Sequence, residues 1–85
     1  MPHYIVDATH KLSGEPGVLI VYAPDLEKAK ELLHEKARFV YDVEGELIQR
    51  RPTPEEFRKA FVAADRIWFS SFAGEEIEGP FKVED

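Results

Sequence analysis

The chain has 85 residues, and its seventeen acidic residues outnumber its eleven basic residues, which gives a net charge of −6. This length fits one domain, and 44% hydrophobic with 33% charged residues is the composition of a folded protein rather than a disordered one. The negative charge repels a phosphate backbone and so argues against general nucleic-acid binding. Cysteine is absent, which excludes disulfides and thiolate metal sites and favours the reducing cytoplasm.

The first part of the chain predicts two strands separated by a turn. Residues 3–9 (HYIVDAT) are rich in strand-forming residues, and residues 11–17 (KLSGEPG) have the composition of a turn. Residues 18–23 (VLIVYA) are apolar at every position, which is typical of a central strand covered on both faces. This apolar run is far too short to cross a bilayer, so we expect no membrane span here.

An amphipathic helix is predicted next, because Pro24 ends the strand and Asp25 is suited to cap a helix. Its apolar residues recur at helical spacing along one side: Leu26, Ala29, Leu33 and Ala37. Residues 38–43 and 46–51 then predict a hairpin around Glu44 and Gly45. In that register Tyr41 faces Ile48, and one sheet face carries Phe39, Val43 and Ile48.

A second helix is indicated by the sequence TPEE at residues 53–56. Thr53 is suited to cap the helix, Pro54 to occupy its first position and Glu56 to complete a capping box. A core-facing stripe follows at helical spacing: Phe57, Ala60, Phe61 and Ala64. The stripe predicts that Phe57 and Phe61 are buried.

Residues 66–72 (RIWFSSF) fit either a continuation of this helix or a separate strand, and their β-branched and aromatic residues favour the strand. In a strand, Ile67 and Phe69 share one face, and Trp68 and Phe72 share the other. Residues 74–85 form an acidic tail, in which residues 81–83 (FKV) could add an edge strand.

From Val18 onward the predicted order is β-α-β-β-α-β, with one more strand in front. This order predicts that residues 1–85 form a single α+β domain of ferredoxin-like architecture. Such a sandwich places two helices on one face of an antiparallel sheet.

Candidate catalytic and metal-binding groups are few. His3 and His10 fall on opposite faces of the first strand, and His34 has only Glu31 and Glu35 near it on its helix, so no complete zinc site is predicted. No glycine-flanked serine of a nucleophile elbow and no glycine-rich phosphate loop occurs in the sequence. We therefore predict no enzymatic activity, no metal and no cofactor.

Acidic residues recur at every fourth position along the first helix: Glu27, Glu31 and Glu35. Like charges at this spacing repel, at a cost of about 0.2–0.5 kcal/mol per pair, so the fold gains nothing from them. Such a row could imitate nucleic acid toward a basic protein surface, and three acids near the carboxyl terminus add to it: Glu75, Glu76 and Glu78. We predict these six residues as partner-binding, with an ordinary solvated face as the alternative, because Lys28 and Lys30 flank the row.

Short motifs lie toward the two ends of the chain: residues 4–7 (YIVD), residues 13–15 (SGE), a strand that ends at Ala23 followed by an alanine-containing helix, and residues 80–84 (PFKVE). These motifs resemble those of small phage-encoded anti-CRISPR proteins that inhibit type I effector complexes. The resemblance implies a non-enzymatic inhibitor that docks, often through acidic residues, on a surface meant for nucleic acid.

A ferredoxin-like dimer is the alternative to this interaction module. Its sheet face would otherwise expose several apolar side chains: Leu19, Val21, Val40 and Leu47. A homodimer that packs these faces together would enclose a pocket for a small molecule, as an α+β barrel enzyme or a binding protein.

Overall fold

A computed structural model describes residues 1–72 and shows a five-stranded antiparallel sheet with two helices. The elements are β1 (His3–His10), β2 (Pro16–Tyr22), α1 (Leu26–Lys36), β3 (Tyr41–Gln49), α2 (Pro54–Lys59), β4 (Ala60–Ala64) and β5 (Ile67–Ser71). The α+β class is confirmed. The predicted acidic tail at 74–85, with its edge strand at 81–83, lies outside the described residues.

The strands lie in the order β3-β1-β2-β5-β4, and every neighbouring pair is antiparallel. Because β2 and β3 are both antiparallel to β1, they run parallel to each other on either side of it. A parallel pair needs a crossover connection, and α1 supplies it. The helix is thereby held across the sheet beside β2 and β3.

The sheet buries apolar side chains on both faces. The first face packs against α1, and the buried cluster that they form includes Val6, Leu19, Val21, Tyr41, Ile67 and Phe69 from the sheet and Leu33 from the helix. The second face carries a smaller cluster, which consists of Ile5, Val18, Ile20 and Ala60 with Trp68 packed against it. The predicted division of β5, with Ile67 and Phe69 on one face and Trp68 on the other, is confirmed. Phe72 lies just beyond the strand and is exposed.

The first helix forms as its sequence predicts. The Lys28 backbone N–H donates a hydrogen bond to Asp25 Oδ1 over 2.8 Å, so Asp25 is the N-cap. Three of the four predicted core residues, Ala29, Leu33 and Ala37, are buried. Leu26 is instead 39% exposed, since it lies at the amino-terminal end of α1.

The predicted hairpin at residues 38–51 is wrong, because Tyr41–Gln49 form one continuous strand. Gly45 has φ 84°, a left-handed conformation that suits glycine, but the residue serves a bulge rather than a turn. The bulge falls where the pairing of β3 with β1 shifts register between Ile5 and Asp7. Tyr41 therefore pairs with His10 and Ile48 with Ile5, and Tyr41 and Ile48 do not face each other.

The second helix is shorter than predicted. Its capping box is present, with Thr53 as the N-cap and Glu56 as its partner, but the helix ends at Lys59. Residues 60–64 form β4, which pairs with β5 through a two-residue turn in which Arg66 has φ 63°. Phe57 is only partly buried and Phe61 is 44% exposed, so the predicted burial of both rings is wrong.

These differences change the topology. The observed order is β-β-α-β-α-β-β, so the ferredoxin-like order is not confirmed. Of the two helices, α1 packs against β2 and β3, and α2 contacts β5.

Candidate binding surfaces

A cleft of about 380 Å³ lies between α1 and β3, and we call it the α1–β3 cleft. Half of its lining residues are valine or leucine, and the lining consists of Val6, Leu26, Lys30, Leu33, His34, Arg38, Val43, Gly45, Glu46 and Leu47. The bulge in β3 contributes to it, since Gly45, Glu46 and Leu47 lie where the regular pairing with β1 is interrupted. Concave, largely apolar sites with a few polar groups are where small ligands usually bind.

One wall of the α1–β3 cleft is basic. Lys30, His34 and Arg38 follow one another at four-residue spacing, so they lie on one side of α1 and its C-terminal extension. Arg38 Nη1 lies 3.1 Å from His34 Nε2, and its guanidinium stacks 4.6 Å from the centre of the Phe39 ring. The guanidinium is always a donor, so His34 Nε2 is the acceptor. Arg38 is thus held against the wall of the cleft.

The predicted acidic row lies on the solvent side of α1, where Glu27, Glu31 and Glu35 are all exposed. Lys28 Nζ lies 3.7 Å from Glu31 Oε2, so the middle of the row is partly neutralised. The row also shares its helix with the basic wall of the cleft. The solvated face of α1 therefore carries mixed charge. The other predicted partner-binding residues, Glu75, Glu76 and Glu78, lie outside the described residues.

A second acidic surface appears on the sheet, at the β3 edge of its second face. Asp7 lies directly opposite Glu44, and Thr9 lies directly opposite Asp42. Directly opposite side chains share a face about 5 Å apart, and like charges there are destabilising. Ile48 is opposite Ile5 on the same face and is 62% exposed. We call Asp7, Asp42, Glu44 and Ile48 the strand patch.

Two cations lie beside the strand patch and only partly offset its charge. Lys11 Nζ is 3.9 Å from Asp42 Oδ1, a long contact between exposed groups. Arg50 is close enough for Asp7 to contribute to its raised pKa, but the main cause of that rise is the hydrogen bond of Arg50 to Glu56. The carboxylates of the strand patch are all exposed.

Arg50 and Glu56 form the best-defined ion pair among the described residues. Two guanidinium nitrogens of Arg50 donate to the two carboxylate oxygens of Glu56, at 2.8 and 2.9 Å. Partial burial alone would raise the pKa of Glu56, but the hydrogen bonds from Arg50 and from the Thr53 backbone outweigh it and lower the pKa. The pair fixes the start of α2 to the end of β3.

The histidines lie apart, as predicted. His3 is buried and stacks on Tyr22, with ring centres 4.8 Å apart, whereas His10 packs edge-on against Tyr41 at 5.1 Å on the other face. Within residues 1–72, no group of three histidine or acidic side chains is placed to hold a metal ion. Tyr41 is buried in the core, which raises the pKa of its hydroxyl.

The exposed sheet face expected for the alternative dimer is not found. Leu19 and Val21 are fully buried beneath α1, and Leu47 is partly buried against the same core. Val40 is 40% exposed, but it precedes β3 rather than lying in the sheet. An extended apolar face that would pack two sheets together is therefore absent from these positions.

The sequence did not reveal the strand patch or the α1–β3 cleft. Both bring together residues that are far apart in the chain, such as Asp7 with Glu44 and Val6 with Leu47. The pairing of β3 with β1 creates both surfaces. Only the four-residue spacing of Lys30, His34 and Arg38 is visible in the sequence itself.

No protein-family model, curated protein or solved structure matches this chain. Neither helix in residues 1–72 is both long and apolar enough to span a bilayer.

Proposed function

We propose that the protein is a non-enzymatic interaction module that docks on a basic partner surface through the strand patch. The observation that carries this proposal is the register of β1 and β3, which sets Asp7 directly against Glu44. Like charges in this position cost stability, and the flanking cations, Arg50 beside Asp7 and Lys11 beside Asp42, offset them only in part. A partner with a complementary basic surface would turn this repulsion into attraction.

The position of the strand patch also supports docking. β3 is the terminal strand of the sheet formed by residues 1–72, so the patch lies at an edge that a partner can reach. Ile48 adds an exposed apolar side chain beside the carboxylates. Protein interfaces commonly combine an apolar contact with charges that guide association.

The partner class that we propose is a protein surface that normally holds nucleic acid, as in a type I CRISPR effector complex. The resemblance of the chain ends to anti-CRISPR inhibitors supports this class, and so does the net charge of −6. Carboxylates spaced along an edge can occupy a site that binds phosphates. The acidic row on α1 stays the prediction from sequence for the same role, and a homodimer stays the alternative.

A competition experiment tests the proposal. A type I effector complex with a bound fluorescent target DNA is titrated with the full 85-residue protein, and DNA release is followed by fluorescence anisotropy. We expect saturable release that weakens as salt is raised from about 50 to 200 mM, because the contact is electrostatic. If the protein released no DNA at about 50 mM salt and none at about 200 mM salt, this partner class would be ruled out.

A further inference from the structure

We infer that the α1–β3 cleft binds a free amphipathic carboxylate with a straight alkyl chain, of the kind represented by a medium-chain fatty acid. The cleft lies on the first face of the sheet and the strand patch on the second. The two surfaces share no residue, so this inference is independent of the proposed docking function.

The shape of the cleft favours an aliphatic ligand body. Its apolar lining is built from valine and leucine side chains, and none of its lining residues is phenylalanine, tyrosine or tryptophan. A flexible alkyl chain fits such a surface. At about 380 Å³ the cleft lies within the range of about 300–1,000 Å³ that is usual for small-molecule sites. Decanoate represents the proposed class of ligand.

The charges around the cleft favour a carboxylate on the ligand. Within residues 1–72, neither Lys30 nor Arg38 forms an ion pair with a carboxylate. The third member of the wall, His34, accepts a hydrogen bond from Arg38 and so directs that side chain along the helix. Glu46 is the acidic residue in the lining and belongs to β3. It repels an anion, so the ligand carboxylate should lie against α1.

A guanidinium and an ammonium on one wall suit a single carboxylate. Arg38 can donate two parallel hydrogen bonds to it, and Lys30 can supply a point charge. The carboxylate that these two side chains lack in residues 1–72 would then come from the ligand. The alkyl chain would extend from this wall toward Leu33, Val43 and Leu47.

The test is a titration of the full-length protein with decanoate, kept far below the concentration at which it forms micelles. Backbone amide resonances of an isotopically labelled sample report binding residue by residue. We expect saturable shifts at the cleft, including Val6, Leu33 and Leu47, and smaller effects elsewhere. Octanoate should bind up to about fifteenfold more weakly than decanoate, because it lacks two methylenes and each buried methylene strengthens binding by at most about fourfold.

Two kinds of control accompany the titration: ligands with a different head group, and lipid vesicles in place of a free ligand. Decanol should bind more weakly than decanoate, and decyltrimethylammonium should not bind at the cleft, because Lys30 and Arg38 repel it. Vesicles of phosphatidylcholine and phosphatidylglycerol should not shift the cleft resonances, since the proposed ligand is a free molecule that enters the cleft. Binding to vesicles without binding to decanoate would overturn the inference in favour of a lipid surface.

Matched substitutions on α1 test the role of the basic wall. Lys30→Gln and Arg38→Gln should each weaken decanoate binding by about tenfold or more, and should leave decanol binding unchanged. Lys28→Gln is the control, because Lys28 lies on the same helix, pairs with Glu31 and does not line the cleft. Melting curves of all three variants check that the fold is retained.

Two further results would contradict the inference. One is a Lys28→Gln variant that loses as much decanoate affinity as Lys30→Gln. Such a result would show that the affinity depends on the net charge of the protein rather than on the side chains that line the cleft. The other is binding of an acidic peptide at the cleft in the absence of any response to decanoate, which would assign the cleft to a protein partner.

Val43→Trp places a large side chain in the cleft and should abolish decanoate binding in a folded protein.

Discussion

At the scale of single residues, close packing around position 17 requires a glycine. A Cβ atom at this position would lie 2.3 Å from the Ser70 carbonyl oxygen and 2.9 Å from the Phe69 ring. Backbone atoms of the neighbouring strand cannot move away without disturbing the pairing of β2 with β5. Glycine is needed here for space, since its φ is not in the left-handed region.

Gly17→Ala should therefore destabilise the protein by about 2–3 kcal/mol, as expected for overpacking in a close-packed interior. Chemical denaturation measures the loss. Gly14→Ala is a useful comparison, because a Cβ there meets nothing within 4 Å and its cost comes from a φ of 72°. That cost should be about 1–2 kcal/mol. A Gly17→Ala variant as stable as the wild type would contradict the packing around Ser70.

The Arg50–Glu56 pair makes a prediction about pH. The folded-state pKa of Glu56 is below its usual value of 4.5, so the pair stabilises the fold above that pH. The contribution is lost as the pH falls through the lowered pKa, where the carboxyl group becomes protonated. Glu56→Gln should thus cost about 0.5–1 kcal/mol at neutral pH and almost nothing in strong acid.

Melting curves of wild type and Glu56→Gln across this pH range measure the difference. Glu55→Gln is the control on the same helix turn, since Glu55 is largely exposed and pairs with Lys59. Its effect should be smaller at neutral pH. A difference between wild type and Glu56→Gln that stays constant down to strong acid would show that the carboxylate charge is not what stabilises the pair.

At the scale of elements, the strand β4 changes the expected role of Phe61. This side chain is 44% exposed on an edge strand, where it makes an edge-on contact with Phe69 at 5.8 Å. Phe61→Ala should therefore cost only about 1 kcal/mol. Phe69 is fully buried, and Phe69→Ala should cost about 3–5 kcal/mol and largely unfold so small a domain. Equal losses in the two variants would favour the longer helix that the sequence suggested.

Elements with strong local signals could be predicted from the sequence. Asp25 and Thr53 mark both helix starts, and the apolar run at 18–23 marks a buried strand. The failures occur where a local pattern has two structural solutions. Gly45 suits either a hairpin turn or a bulge. Because β3 pairs with β1 on both sides of Gly45, the residue forms a bulge. Likewise the spacing of Phe57 and Phe61 fits a helix, but pairing with β5 draws residues 60–64 into a strand.

The acidic row on α1 should have little effect on the stability of the helix. Replacing Glu27, Glu31 and Glu35 together by glutamine removes like-charge repulsion and also the contact of Glu31 with Lys28. These effects are small and opposite, and glutamine keeps good helix propensity. The melting temperature should change by no more than about 2 °C. A larger fall would show that the row stabilises the helix through its flanking cations.

At the scale of the whole molecule, charge is distributed unevenly along the chain. Residues 73–85 contain five acidic residues and a single lysine, so most of the net charge of −6 belongs to them. Within residues 1–72 the strand patch and the basic wall of the α1–β3 cleft lie on opposite faces of the sheet. The fold thus presents two surfaces of opposite charge. The strand patch could not be predicted from local sequence, because it depends on the pairing of β1 with β3, whereas the four-residue spacing of the basic wall is visible in the sequence.

Docking through the strand patch is tested by two double variants that have the same change in net charge. One replaces Asp42 by Asn and Glu44 by Gln in the strand patch, and the other replaces Glu31 and Glu35 by Gln in the acidic row. The measurement is the dissociation constant of each variant for the type I effector complex at a single low salt concentration. We predict about tenfold weaker binding for the patch variant and less than about twofold change for the row variant. Equal losses in both, or a larger loss in the row variant, would contradict docking through the strand patch.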